Sequence, residues 1–574
     1  MDQRLLIGID VGGTFTDAVA VHSGNVVATA KEVTEPEDLS RSLLGALDSV
    51  LAGVAHTHRV ARLCLSTTLI TNLLAQRRTP EVATLLIPGP GRDPTTYHLP
   101  GPYWVVSGMM DFRGRERVPL DRAEVTAALK EIHATGVRHL AVVGKFSPRN
   151  PRHEEQGIEW ARQLDPAWRL HAGHAASGQL NFPRRAAATA IMLAVEESWR
   201  AFFTQLQDAL TGRGLTCPIV ILKADGGTLP LEAAEREPIQ TIFSGPAASA
   251  MGVVALRPQG STSIVADVGG TTTDLALILD GQPLLASRGG SIAGVDSLQR
   301  ETSLHLPIRA FAVRSVPVGG DSTIAVQGEG KSRRATLGTT RAGVAACMGG
   351  PEPTLTDALR VLGWTTVGDV ELANQSMARI ARAMGLEKRA VATSIVEEAL
   401  ARIETSLESL FLTWQREPVY RLWELKQKGH RRPETVVGVG AAAESLVPAL
   451  SKRLNAQVVI PRYAPVANAL GAALARTTYT TSLHVDTEQR RLEIAEEAIS
   501  QALPPGRFTL DDTQRIAREW MARRGEALGI PHPLEDCEMV LAEQFNVVEG
   551  WRTAGRIFDV RLERRCGLVD EWVH

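Results

Sequence analysis

Residues 10–17 read DVGGTFTD and residues 267–274 read DVGGTTTD: one octamer written twice, with Phe15 replaced by Thr272 as the single difference. Each copy follows a strand-forming run, RLLIGI at 4–9 and STSIVA at 261–266, and each is followed by a second run that reaches a bend, Ser23-Gly24-Asn25 or Asp280-Gly281. Strand, glycine turn, returning strand and bend therefore recur as a unit, and the duplication is structural. Two adjacent glycines remove both Cβ atoms, so backbone N–H groups can converge on an anion, and the threonine adds a hydroxyl donor. The aspartate opening each turn repels phosphate unless a divalent cation lies between them. Mg²⁺ is commonly reached through one or two carboxylates plus the phosphates of a nucleotide. The pair of turns predicts one metal-bound triphosphate held from two sides.

Bulk properties set the frame. A chain of 574 residues is too long for one core and predicts two or three domains. Its 62 basic and 64 acidic residues leave a formal charge of −2, which offers no general electrostatic attraction to nucleic acid or anionic membrane. No apolar run is long enough to suggest a membrane span. The start, MDQRLLIGID, lacks the regions of a signal peptide, so a cytoplasmic protein is expected. The five cysteines are scattered, with no C-x-x-C pair, and are expected to be free thiols.

Alternation of β-branched runs with helical periods indicates an α/β fold. Helices are expected from near Glu37 to before Gly53, after a cap at Asp121, and from Arg184 to about Leu210 behind Asn181-Phe182-Pro183. A single helical region is expected from Asn374 to about Phe411, followed by a charged, Trp-bearing segment at 413–434 that reads as a solvated loop or a partner-docking surface. Beyond Thr477 the composition becomes charge-rich, with Pro504-Pro505-Gly506 as a break, and a small appended α+β module is expected. The implied units are 1–245, 246–477 and 478–574.

The turns name the candidate site. Asp10 and Asp267 are the expected catalytic and metal-holding residues. Gly12, Gly13, Thr14, Thr16, Gly269, Gly270 and Thr271 are expected on the phosphates, together with Gly319 and Gly320 from VPVGGDSTIAV. Gly438-Val439-Gly440-Ala441, a turn between strand and helix, follows in the order expected for an adenosine-binding turn, with Gly438, Gly440 and Ala441 under the base and sugar. No G-x-x-x-x-G-K-[ST] is present, so the phosphate site is not a P-loop. His171 and His174 flank Gly173 without a nearby carboxylate in sequence and read as a solvated or hydrogen-bonded pair more than as metal ligands. Cys347 lacks a visible base and reads as a packing residue.

The paired turns and the late glycine turn resemble the actin / sugar kinase / Hsp70 ATPase fold, as two duplicated lobes. Within it the chain resembles the hydantoinase A / 5-oxoprolinase family, which includes ATP-binding subunits of acetone and acetophenone carboxylases. The resemblance rests on stretches in family order, among them KEVTEPEDL, STTLITNLL, FRGRERVPLD, FSGPAASAMGV, EPTLTDALRVLG and PVANALGAALA, and covers about residues 4–475. It implies ATP and Mg²⁺, phosphorylation of an amide, lactam, imide or carbonyl oxygen, a hydantoinase B-like second subunit and a homo- or hetero-oligomer. The alternatives are the ATP-binding subunit of a ketone carboxylase, or an ATP-driven switch acting on a partner protein. The chain departs from the family where AVRSVPVGGDS stands: Ala312 and Arg314 replace an aspartate and a histidine, and Asp321 replaces a glycine. Ala175-Ala176 replace an acidic position after His174, and the usual carboxy-terminal β module is expected to be replaced by the appended segment. Arg314 is expected either as a cation near the cleft, or pointing to solvent or to a neighbouring acid such as Asp321.

Overall fold

A computed structural model describes residues 4–35, 37–54, 59–257, 262–286, 289–295, 301–328, 333–338, 341–416, 433–497, 499–570 and 572. Most of the charged segment at 413–434 lies outside the described residues.

Each octamer lies at the end of one strand pair in one of two six-stranded sheets. In the first, Arg4–Val11 runs antiparallel to Phe15–His22 and parallel to Arg59–Thr67. In the second, Ser263–Val268 runs antiparallel to Thr273–Leu279 and parallel to Thr435–Val439. Alternation decides what each face does. Leu5, Ile7, Ile9 and Val11 enter the core formed with helices Leu39–Ala52 and Phe182–Gly212. Leu6, Gly8 and Asp10 occupy the alternate face, where Leu6 packs with Leu470 and Ala473. In the second sheet Ile264, Ala266 and Val268 enter the core with helix Lys388–Arg416, while Val265 packs with Val253 and Ala467 on the alternate face, the one that carries Asp267.

Helices Ser244–Leu256 and Ala467–Leu474 fill the space between the sheets, and both are built largely from small residues. Their backbones nearly touch. A Cβ on Gly252 would lie 2.1 Å from Ala467 O, one on Gly471 2.2 Å from Ala248 O, and one on Gly8 2.0 Å from Ala469 O. FSGPAASAMGV and PVANALGAALA are therefore the two halves of a single crossing.

Two further sheets frame this centre. Residues 1–245, expected as one unit, also contain a four-stranded parallel sheet in which Val82–Ile87 lies between His139–Gly144 and Tyr103–Val105, with Arg169–Ala172 at the far edge. The last hundred residues form a five-stranded antiparallel sheet packed on helix Leu510–Ala527. It docks on the parallel-sheet region through Arg113, whose Nε and Nη2 donate to the two carboxylate oxygens of Asp486 at 2.7 Å each, and through Arg149 and Glu493 at 2.8 Å.

The expected cap at Asp121 stands, accepting from Ala123 N; Asn181, at the expected opening of the long helix, accepts from Arg184 N, and Asp38 caps the helix that begins at Leu39 by accepting from Arg41 N. The helical region at 374–411 differs. It is two helices, Val370–Met384 and Lys388–Arg416, because Gly385 adopts φ +65° and ends the first with a left-handed cap. All five cysteines are free. Among the described residues no helix is long and apolar enough to cross a membrane.

The crossing predicts an asymmetry between glycines. Gly471→Ala should destabilise the protein by about 1–3 kcal/mol or more through overpacking. Gly212→Ala, where a Cβ meets nothing within 4 Å, should be neutral or slightly stabilising. Thermal melts check this; equal melting temperatures for the two variants would contradict the close crossing.

Candidate active site

The first glycine of each octamer closes its own turn: Gly12 N donates to Phe15 O at 3.1 Å and Gly269 N to Thr272 O at 2.9 Å. This closure puts the two ends of each octamer opposite one another, Asp10 facing Asp17 and Asp267 facing Asp274. Like charges in directly opposed positions are unfavourable, and here they are also shielded from water. Burial, reinforced by Asp17 and Asp267 and opposed by hydrogen bonds from Ser66 and Asn468, pushes the Asp10 carboxyl up to about 7. Burial with the charge of Asp267 pushes Asp274 up to about 7, against a hydrogen bond from Ser315. Burial also raises Asp17, and its ion pair with Lys31 offsets part of the rise. Oδ1 of Asp10 and Oδ1 of Asp274 have no hydrogen-bond partner.

Asp267 is held from the helix crossing. Its Oδ2 accepts from Ser249 Oγ of FSGPAAS and, at 3.1 Å, from Asn468 Nδ2 of PVANALGAALA. Ser244 Oγ donates to Thr67 O at 2.9 Å and accepts from Thr67 N at 3.2 Å, tying the same helix to the first sheet. Ser66, Ser249 and Asn468 are positioning residues that the sequence reading placed inside motifs without assigning them a part.

The two turns meet. A Cβ on Gly270 would lie 2.9 Å from Thr14 Oγ1 and 2.7 Å from Asp321 Oδ2. Gly13, Thr14, Gly270 and Thr271 donate their N–H groups to no protein acceptor among the described residues, so these four donors remain for a ligand. The buried and partly unpartnered Asp10 carboxylate, electrostatically coupled to Asp267, has the donor chemistry for a hard divalent cation. No group of three or more His, Cys, Asp or Glu side chains stands ready as a metal cage among the described residues.

Several expected ligand residues act otherwise. Thr16 is fully buried and its hydroxyl pairs with Thr34 Oγ1 at 3.0 Å, so it is a core residue and not a phosphate donor. Gly319 and Gly320 support the second turn from behind: Gly320 N donates to Gly269 O at 3.0 Å and Gly319 N to Ser322 Oγ at 2.9 Å, so neither N–H is left for phosphate. The Thr356 hydroxyl and N–H in turn hold Gly320 O at 2.8 and 2.9 Å. Gly438 lies inside its strand beneath Val447 and Ile460, where a Cβ would come within 2.5 Å of Ile460, so its role is helix–sheet packing. Gly440 takes φ +87° and lies against the Asp267 carboxylate, since a Cβ there would fall 2.3 Å from Asp267 Oδ1. Ala441 is exposed at the same turn.

The weaker candidates also resolve. His174 does have an acid beside it: Nδ1 lies 2.6 Å from Glu154 Oε2, and fully buried Glu154 also accepts from Gly144 N and His174 N. His171 pairs with Glu196 at 3.3 Å. Cys347 is buried, its thiol pushed up to about 12 by burial and then by Asp357, which removes it as a nucleophile. Asp357 of EPTLTDA collects the N–H groups of Ala346, Cys347 and Thr354. Arg314 engages Ser409 Oγ at 2.8 Å on helix Lys388–Arg416, and Asp321 pairs with Arg341, Nε to Oδ2 at 3.1 Å, not with Arg314.

The raised Asp10 carboxyl has a pH signature. Its folded-state value of about 7 exceeds the ordinary 3.8, so its contribution to stability is complete below the lower value and is lost as pH rises through the upper one. In chelator, raising pH from about 5 to about 8 should lower the melting temperature of the unmodified protein more than that of Asp10→Asn. Equal falls in both would contradict the buried-acid geometry.

Comparison with known proteins gives the family and the fold. The Hydantoinase/oxoprolinase family profile matches residues 185–481, and the Hydantoinase/oxoprolinase N-terminal region profile matches 6–164. The chain is 24% identical over 559 residues to the caprolactamase subunit alpha of Pseudomonas jessenii, covering 89% of this chain and 76% of that one. It is 26% identical over 453 residues to the acetophenone carboxylase gamma subunit of Aromatoleum aromaticum, covering 69% of this chain and 60% of that one. In fold it is similar to nucleotide-free acetone carboxylase, with TM-score 0.71 at 18% identity, and to the ATP-dependent caprolactamase of Pseudomonas jessenii, with TM-score 0.62 at 20% identity; each likeness covers 98% of this chain and 87% of the other. The likeness thus covers nearly the whole chain, residues beyond Thr477 included. The chain belongs to the hydantoinase/oxoprolinase family.

Proposed function

We propose that this chain is the ATP-binding part of an ATP-dependent enzyme that opens an amide, lactam or imide by phosphorylating its carbonyl oxygen. One observation carries the reading: two D-V-G-G-T turns meet with Asp10 and Asp267 coupled and buried between them, while the N–H groups of Gly13, Thr14, Gly270 and Thr271 face no protein acceptor among the described residues. Asp10 and Asp267 would hold Mg²⁺, which when bound neutralises phosphate charge. The four N–H groups orient the phosphates, and Gly440 and Ala441 border the nucleotide. Positioning and charge neutralisation suffice for phosphoryl transfer.

The chemistry balances as follows. The γ-phosphoryl group passes from ATP to the carbonyl oxygen and ADP leaves. Water adds to the now electrophilic carbon, the C–N bond breaks with the nitrogen departing as amine, and a second water hydrolyses the remaining acyl phosphate. Several finer features belong to the same reading: the two octamer sheets as lobes of an actin-like ATPase within units 1–245 and 246–477, a cytoplasmic location, and a hydantoinase B-like partner. The naming of relatives as subunits supports the partner. A second reading, the ATP-binding subunit of a ketone carboxylase, draws support from the acetophenone and acetone carboxylase relatives.

ADP release in the presence of lactams, hydantoins and ketones, with and without a B-like partner, tests the proposal. A lactam or imide should stimulate release, and Asp10→Ala or Asp267→Ala should abolish it while preserving cooperative melting. Stimulation by ketones alone favours the second reading, and undiminished release in both variants contradicts each.

A further inference from the structure

Asp321 occupies a position where the site would be expected to repel its ligand. Its N–H donates to Gly270 O at 2.6 Å, which fixes it to the second turn. Its Oδ2 lies 2.7 Å from the point where a Gly270 Cβ would stand, and Thr14 Oγ1 of the first turn lies 2.9 Å from that same point. A carboxylate thus marks the junction of the two turns, where Asp10, Asp17, Asp267 and Asp274 already gather negative charge. Lys31, the cation on the first hairpin, is committed to Asp17.

Arg341 answers this excess. Its Nε is 3.1 Å from Asp321 Oδ2 and 3.3 Å from Gly343 O, so one edge of the guanidinium is anchored. A guanidinium carries five N–H donors in a rigid fork. The Nη1 and Nη2 groups of Arg341 meet no acceptor among the described residues, and the side chain is 27% exposed. We propose that Arg341, anchored by Asp321, is the cation that recognises the terminal phosphate of the nucleotide at the junction of the turns. Asp321 is then a positioning residue: it holds Nε so that the two Nη groups face the ligand, the geometry in which arginine pairs with phosphate through parallel hydrogen bonds. The inference rests on the nucleotide reading and adds to it a residue that distinguishes a triphosphate from a diphosphate.

Calorimetric titration of the full chain with Mg²⁺ and either ADP or the non-hydrolysable analogue adenylyl imidodiphosphate tests this. Arg341→Ala should weaken the analogue by about tenfold or more, the loss expected for a charge-assisted pair, and ADP by less than about twofold. Asp321→Ala should give a smaller loss confined to the analogue. Arg341→Lys should recover part of the affinity, and it supplies the same comparison if the alanine variant does not fold. A purely structural role would move both nucleotides together. Equal weakening of both, or of neither, overturns the assignment to Arg341 while leaving the nucleotide reading intact. Failure of the unmodified protein to bind either nucleotide overturns both.

Discussion

Everything at the candidate site depends on how closely two helices cross between the sheets. Gly8, Gly252 and Gly471 admit backbone where any side chain would collide, and this proximity brings the ends of two separate sheets together. Thr14 of one turn then lies against Gly270 of the other. Larger residues at the crossing would separate Asp10 from Asp267, and each turn alone would be an ordinary hairpin end. The small residues of SGPAASAMG and ANALGAAL are therefore as much a part of the site as the glycines of the turns.

Bringing the turns together has an electrostatic cost. Four aspartates from two octamers occupy a region largely closed to water, and the proton affinities of Asp10, Asp17 and Asp274 rise in response. The fold compensates one charge at a time: Lys31 for Asp17, Ser249 and Asn468 for Asp267, Ser66 for Asp10 and Arg341 for Asp321. An unpartnered oxygen remains on Asp10 and another on Asp274. A site left incomplete in this way, beside four uncommitted N–H groups, is suited to a ligand that brings both a cation and an anion.

The octamers, the cap at Asp121 and the opening of the long helix at Asn181 were legible in the sequence because each depends on neighbours within a few residues. What escaped the sequence depends on tertiary approach. Thr16 and Thr14 sit two apart in one motif, yet Thr14 stands in the turn, whereas Thr16 has already entered the strand Phe15–His22, where its hydroxyl pairs with Thr34 in the core. Gly319 and Gly320 look like a third phosphate turn but have their N–H groups taken by Ser322 and Gly269. The acids beside the histidines are distant along the chain: Glu154 lies 20 residues before His174 and Glu196 lies 25 after His171. Arg314 stands out in sequence as a departure from the family pattern but bonds Ser409, whereas the cation paired with Asp321 beside the turns is Arg341, and nothing in its local sequence marks it. The break at Gly385 was accessible, since a glycine inside a helical period is a standard terminator.

The central claim is that Asp10 and Asp267, from different sheets, serve one cation carried in with a nucleotide. Counting bound Mn²⁺ by electron paramagnetic resonance tests it most directly, in the unmodified protein and in Asp10→Asn and Asp267→Asn, with and without ATP. The account predicts a single Mn²⁺ per chain that requires ATP and is lost in either variant, because each carboxylate completes the same site. Retention of the ATP-dependent ion in both variants would contradict it.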